Sequence, residues 1–297
     1  MRYYYRSPKP TQTCKCACGH FAKNYKNLDG SRGGNVEFDE RWTTDNMAQV
    51  RTNVTNLLEL RPDAVLTTGG RVIPIFKQMT QTIPIIMITA DPVGAGLVES
   101  LARPGGNITG FSVFEFSLIG KMLEILKKIV PEISHVAMIY NTDNPTTSFF
   151  VRSFETYTRP LALEPFTKPI RGIDDLDRVI TMLAQQPNVG ILFPPDVTIS
   201  ALREQVVAAI ARHRLPAIYS DPLLVNRGGL VSYSADRVDI YRRAASYVDR
   251  ILRGEKPSDL PVQEPTKYEL VINLKTARAL GIAIPNTLIA LADEVIE

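Results

Sequence analysis

The chain has 297 residues, room for about two domains of ~150 residues each, and its 44% hydrophobic and 22% charged residues place it with ordinary soluble globular proteins. A formal net charge of +3, with Lys and Arg scattered rather than run together with aromatics, leaves out the electrostatic footprint of a nucleic-acid binder. No apolar stretch approaches the ~20 residues of a membrane span, and the three cysteines are Cys14, Cys16 and Cys18, so no disulfide framework holds the rest of the chain.

In chain order, Met1 to His20 shows no helical or strand period and lacks the roughly 7–15 residue apolar core of a secretory signal. Cys14, Cys16, Cys18 and His20 do not have the spacing of a zinc site, so residues 1–20 read as an unstructured tail. Phe21 to Leu28 reads as the end of a helix and Asp29 to Gly34 as a turn. Val36 to Phe38 alternates like a strand. Thr43, Thr44 and Asp45 supply caps for a helix whose apolar face is Met47, Val50, Val54, Leu57 and Leu58. Ala64 to Leu66 is a strand, Val72 to Met79 a helix, and Ile83 to Ile88 an apolar run suited to a strand buried on both faces. Asn107 to Phe111 reads as a short strand leaving the first domain.

The same rhythm then repeats. A helix spans Ser117 to Val130, Val136 to Tyr140 is a strand, and a helix follows Pro145. Glu164 to Ile170 is an edge strand, because Pro165 and Pro169 cannot donate to a ladder. Helices are predicted over Asp174 to Ala184 and Ser200 to Arg212, and strands over Gly190 to Phe193, Ala217 to Tyr219 and Leu230 to Tyr233. The helix Val238 to Leu252 stops at Arg253-Gly254. Pro261-Val262 and Tyr268 to Asn273 are extended, and helices at Thr276 to Leu280 and Pro285 to Val295 close the chain.

Two βα arrays of this kind predict an α/β protein of two doubly wound parallel-sheet lobes joined by a multi-strand hinge. The expected boundaries are 21–111 with about 234–265 for one lobe, and 112–233 with about 266–297 for the other. Parallel strands put their carboxyl ends on one edge, where ligands of open α/β sheets bind. The polar tips at those ends name the candidate ligand residues. Thr67, Thr68 and Gly69 offer hydroxyls and N–H groups near a helix start, suited to a carboxylate or to ordinary capping. Asp91 before Pro92 is either a partner for an ammonium or a turn initiator. Asn141 with Thr142, Asp196, and Ser220 with Asp221 are the matching tips of the second array, each also a sound turn sequence. Tyr233 either stacks on a ligand ring or packs the hinge. Phe111, Phe114 and Phe116 read first as core and second as a cover for an apolar ligand.

The chain resembles the substrate-binding proteins of bacterial ABC transporters, in the type I periplasmic-binding-protein superfamily and its tryptophan/tyrosine-type, largely uncharacterised branch. The residues that carry the resemblance are Asp91-Pro92-Val93, Leu101 to Gly110, Ala211 to Tyr219, Gly228 to Tyr233, Ile251 to Pro257 and Pro265 to Ala277. Their order and spacing cover about Phe21 to Glu297. The resemblance implies a small polar solute, an amino acid first, held between the lobes by a monomer and delivered to an ABC permease with its ATPase subunit. It also implies a periplasmic location, a signal peptide and a first central strand. Met1 to His20 supplies neither, so it reads as mis-started or truncated, and the chain as it stands has the cytoplasm as its alternative location.

Other functions find less support. His20, His135 and His213 are the only histidines, and no nucleophile elbow, zinc-protease helix or Walker A sequence occurs. Gly94-Ala95-Gly96 lacks the third glycine of a dinucleotide fingerprint. No catalytic residue, metal or cofactor is expected. A ligand-sensing domain of a regulator shares the same fold and stands as the alternative, ahead of an α/β enzyme.

Overall fold

Residues 2–6, 37–40, 46–115, 117–144 and 146–297 are described by the computed structural model. The expectations for residues 7–36, including the cysteine cluster, and those for Thr43 to Asp45, Phe116 and Pro145 lie outside the described residues. The chain divides into two units, Met1–Val113 with Asp236–Thr266, and Phe114–Ala235 with Lys267–Glu297. Among the described residues no helix is long and apolar enough to cross a membrane.

Among the described residues the first unit has five strands, β1 (Arg2–Arg6), β2 (Glu37–Glu40), β3 (Ala64–Thr68), β4 (Ile85–Thr89) and β5 (Ile108–Ser112), in the order β2-β1-β3-β4-β5. β3, β4 and β5 run parallel, and β1 is antiparallel to both β2 and β3. The tail reading of residues 1–20 therefore needs correction at Arg2–Arg6. Three consecutive tyrosines favour an extended strand, and without a neighbour there the backbone groups along β3 would go unpaired.

Asn46 starts the Met47–Glu59 helix by accepting from the Ala48 and Gln49 amides at 3.0 and 3.2 Å. Val50, Val54 and Leu57 then face the core, while Met47, at the first turn, stays exposed. They pack with Ile73 and Phe76 of the Ile73–Met79 helix over Val65 and Met87 of the sheet. Gly110 sits opposite Met87 with φ +144°, and a Cβ there would lie 2.0 Å from the Met87 carbonyl oxygen. Only glycine fits this backbone and this approach.

Seven strands form the second unit: β6 (His135–Asn141), β7 (Glu164–Ile170), β8 (Val189–Phe193), β9 (Ala217–Tyr219), β10 (Val231–Ala235), β11 (Tyr268–Asn273) and β12 (Glu294–Ile296). Their order is β12-β11-β10-β9-β8-β6-β7, with β7 on the edge as its prolines require. β7, β6, β8, β9 and β10 are parallel, and β11 turns antiparallel to β10. The Ile173–Leu183 and Arg203–Arg212 helices bury Leu176, Ile180, Val206 and Ile210 against Ile191, Phe193 and Tyr219. Helix Ser117–Ile129 packs on β8, β9 and β10.

Two expected helices are redrawn. Ser200 to Arg212 is two pieces, Val197–Ala201 and Arg203–Arg212, because Asp196 caps the chain one turn earlier. Pro285 to Val295 is helical only over Asn286–Ile289. The Leu270 amide donates to Asp293 Oδ2 at 2.8 Å, and the residues beyond join the sheet as β12, parallel to β11.

Candidate functional site

In the first unit the carboxyl ends of β3, β4 and β5 lie side by side, with Thr68 paired to Ile88 and Thr89 to Ser112. Thr67 is fully buried, and its hydroxyl has no hydrogen-bond partner among the described residues. Gly69 takes φ +96° to turn the chain into the Ile73–Met79 helix, its amide donating to the Ile88 carbonyl at 3.3 Å. Asp91 Oδ1 accepts from the Gly94 amide at 2.8 Å, so that oxygen closes a turn. Ser112 Oγ donates to the Ala90 carbonyl at 2.7 Å, tying the β5 tip to the β4 tip. Thr67, Thr68, Gly69 and Asp91 are thus gathered on one sheet edge.

The second unit's edge is interlocked by side chains. Asn141, buried at the end of β6, donates from Nδ2 to Thr198 Oγ1 at 2.8 Å and accepts at Oδ1 from the Asp143 amide at 2.9 Å. Asn144 Nδ2 donates to Asp196 Oδ2 at 3.0 Å, across from the β8 tip. Asp196 Oδ1 accepts from the Thr198 and Ile199 amides at 2.8 and 3.0 Å as the N-cap of its helix. Ser200 Oγ then donates to Asp221 Oδ2 at 2.7 Å at the β9 tip, while Asp221 Oδ1 accepts from the Leu223 amide. A continuous polar chain runs from β6 through β8 to β9. Thr142 stands exposed on the first tip, and Ser220 is buried on the last.

Each of the two edges therefore collects its own sequence-nominated residues. The carboxylates of Asp196 and Asp221 serve first as helix caps, which fixes their direction. Asn144, Thr198 and Ser200 belong to the same edge and were not nominated. Their signal was faint, a run of short polar side chains around the two capping aspartates. Tyr233 is half-buried on β10 and stacks on Tyr268 with ring centroids 5.8 Å apart, and Tyr268 donates to Glu115 Oε2 at 3.5 Å. Burial, with a smaller contribution from the Asp293 charge, pushes the Tyr233 phenol above its ordinary value. Phe111 and Phe114 are both buried, the first against Tyr247 and the second edge-on to Phe150. His135 pairs with Glu164 at 3.2 Å and stacks on Phe166, and His213 is the C-cap of its helix. Among the described residues no cluster of three or more His, Cys, Asp or Glu could hold a metal ion.

The largely parallel sheets and the solved structures that this chain resembles are those of the type I periplasmic-binding-protein fold. Residues 15–296 match the family described as ABC transporter substrate binding protein, and the chain belongs to it. The tyrosine-binding protein of Clostridioides difficile (strain R20291) is 27% identical over 260 residues, which are 87% of this chain and 73% of that protein. A crystal structure of a conserved domain protein from Vibrio cholerae superposes with a TM-score of 0.86 at 26% identity, covering 93% of both chains. A Streptococcus pneumonia ABC domain solved in complex with L-Trp superposes at 0.83 with 25% identity, covering 95% of this chain and 98% of that one. The family is one of substrate-binding proteins rather than enzymes, and membership implies a small-molecule ligand and an ABC transporter as partner.

Proposed function

We propose that this protein is the solute receptor of an importer. It captures a small polar molecule, an amino acid with an aromatic side chain first, and delivers it to a permease driven by a separate ATPase subunit. The observation that carries the reading is the pair of polar sheet edges in a chain of this family: one unit offers Thr67, Thr68, Gly69 and Asp91, the other Asn141, Thr142, Asp196 and Ser220. Closure is favoured only when a ligand supplies hydrogen bonds to both edges. The tyrosine named for one relative and the L-Trp bound by another favour an aromatic amino acid.

In this reading Thr68 takes the carboxylate of the amino acid. Asp91 and Asp196 accept from its ammonium with the lone pairs that capping leaves over, and Tyr233 borders the ring. The protein works as a monomer outside the cytoplasmic membrane. The test is isothermal titration with L-Trp, L-Tyr, L-Phe, glucose and adenosine. An aromatic amino acid at about 100 times its Kd is expected to stabilise the fold by about 2.7 kcal/mol. No heat and no thermal shift with any of the five would overturn the reading.

A further inference from the structure

We propose that Arg243 is the pivot anchor of ligand-driven closure, a positioning residue that touches no solute. This inference rests on the capture reading above.

Three stretches of chain pass from one unit to the other, at Val113–Phe114, Ala235–Asp236 and Thr266–Lys267. On the first unit's side one guanidinium contacts the chain beside the first and third of them and stands on the helix that follows the second. Arg243 belongs to the Arg237–Leu252 helix, which begins directly after the second passage. Its Nε donates to Gln263 Oε1 at 3.0 Å, and Nη2 donates to the same oxygen. Nη1 donates to the Glu264 carbonyl at 3.2 Å and to Thr266 Oγ1 at 3.3 Å, the last residues before the third passage. Its Cζ lies over the ring of Phe111, 5.4 Å from the centroid, two residues before the first passage. Asp239, one turn earlier on the helix, approaches Nη1 at 3.8 Å.

The partner side chain extends the tie. Gln263 pairs by its backbone with β5, donating to the Gly110 carbonyl at 3.0 Å and accepting from the Ser112 amide at 2.8 Å. Its Nε2 donates to Tyr247 Oη at 2.9 Å, and that hydroxyl donates to the Pro261 carbonyl at 2.7 Å. Tyr247 also packs on Phe111, with ring centroids 4.8 Å apart. The guanidinium is suited to this because it holds five donors in one rigid plane and still offers a face to an aromatic ring. A lysine has no such plane.

Hinges are a few residues at element ends that absorb backbone rotation. Rotation stays confined to them only if the chain on one side is held. Arg243 ties the chain beside the first and third passages to the helix that follows the second. Without it the bend spreads into β5 and residues 261–266, the closed state loses definition, and ligand affinity falls with no contact to the ligand removed.

The test compares wild type with Arg243→Met, Arg243→Lys and Val54→Ala. The last variant is buried in the first unit's core, in the cluster that also holds Val262, and serves as a stability control for affinity. Amide exchange is read in the ligand-free proteins at Val113, Val262 and Gln263, whose amides are hydrogen-bonded at 2.8, 2.7 and 3.0 Å. Affinity is read by titration with L-Trp and L-Tyr. Arg243→Met is expected to speed exchange at those three amides about tenfold and to weaken affinity about tenfold, as when the competent population falls to a tenth. Arg243→Lys is expected to restore only part of both. Val54→Ala is expected to lower the melting temperature with Kd unchanged. Unchanged exchange in Arg243→Met overturns the proposal, and so does an affinity loss no larger than that of Val54→Ala. If wild type binds neither amino acid, the ligand assignment fails, and the exchange comparison alone decides the anchor.

Discussion

Tyr219 carries a sharp prediction because its ring and its hydroxyl are in opposite situations. The ring is fully buried, stacked 5.2 Å from Phe193 at an interplanar angle of 6°, and pressed on Gly229, where a Cβ would come 2.6 Å from Cε2. The hydroxyl is equally buried and has no hydrogen-bond partner among the described residues. Burying an unpaired hydroxyl costs about 1–3 kcal/mol. Tyr219→Phe keeps the ring and removes that cost, so a gain of about 1 kcal/mol at pH 7.5 is expected. The same burial raises the phenol well above its ordinary 10.0. Below pH 10 both folded and unfolded chains keep the proton, and the neutral phenol's contribution is fully present. As pH rises past 10 the unfolded chain ionises while the folded one does not. Wild type then loses about 1.4 kcal/mol per pH unit through this group until the raised value is passed. Urea unfolding at pH 7.5, 10, 10.5 and 11 should show the variant more stable throughout and flatter by that slope above pH 10. A loss exceeding 1 kcal/mol at pH 7.5, or parallel alkaline curves, would refute the reasoning.

Gly110→Ala should cost about 3 kcal/mol or more, because a methyl meets the Met87 backbone and φ +144° is closed to alanine; urea unfolding and soluble yield would register it. Asp196→Ala removes the cap that accepts two amides and the contact to Asn144, so a loss of about 1–2 kcal/mol is expected by urea unfolding. Thr142→Ala lies on an exposed tip and should leave the melting temperature unchanged while weakening binding of L-Trp or L-Tyr, which titration would show. Tyr268→Phe keeps the stack on Tyr233 and loses the bond to Glu115. Its melting temperature should fall slightly, with faster exchange of the Leu118 amide, which donates to the Glu115 carbonyl at 2.9 Å.

The strands were legible because burial on both faces writes unbroken apolar runs: Ile85–Thr89 and Val189–Phe193 are buried at every position. The helices were legible where one face repeats, as at Val50, Val54 and Leu57. Arg2–Arg6 was not, because an isolated five-residue strand has no period of its own and takes its place from the partners beside it. Glu294–Ile296 was missed for a related reason: three residues cannot separate a strand from a helix end until Asp293 binds the Leu270 amide. The edge residues show a deeper limit. An aspartate at the end of a strand and the start of a helix is the sequence signal for a cap and for a ligand carboxylate alike, because both tasks need an acceptor aimed at free N–H groups. Asp196 performs the first with Oδ1, and Asn144, 52 residues away, turns Oδ2 toward the neighbouring tip. That long-range pairing leaves no local trace. Capping and binding are therefore not rival readings of these positions: the cap orients the carboxylate, and an oriented acceptor at a sheet edge is what a solute can recognise.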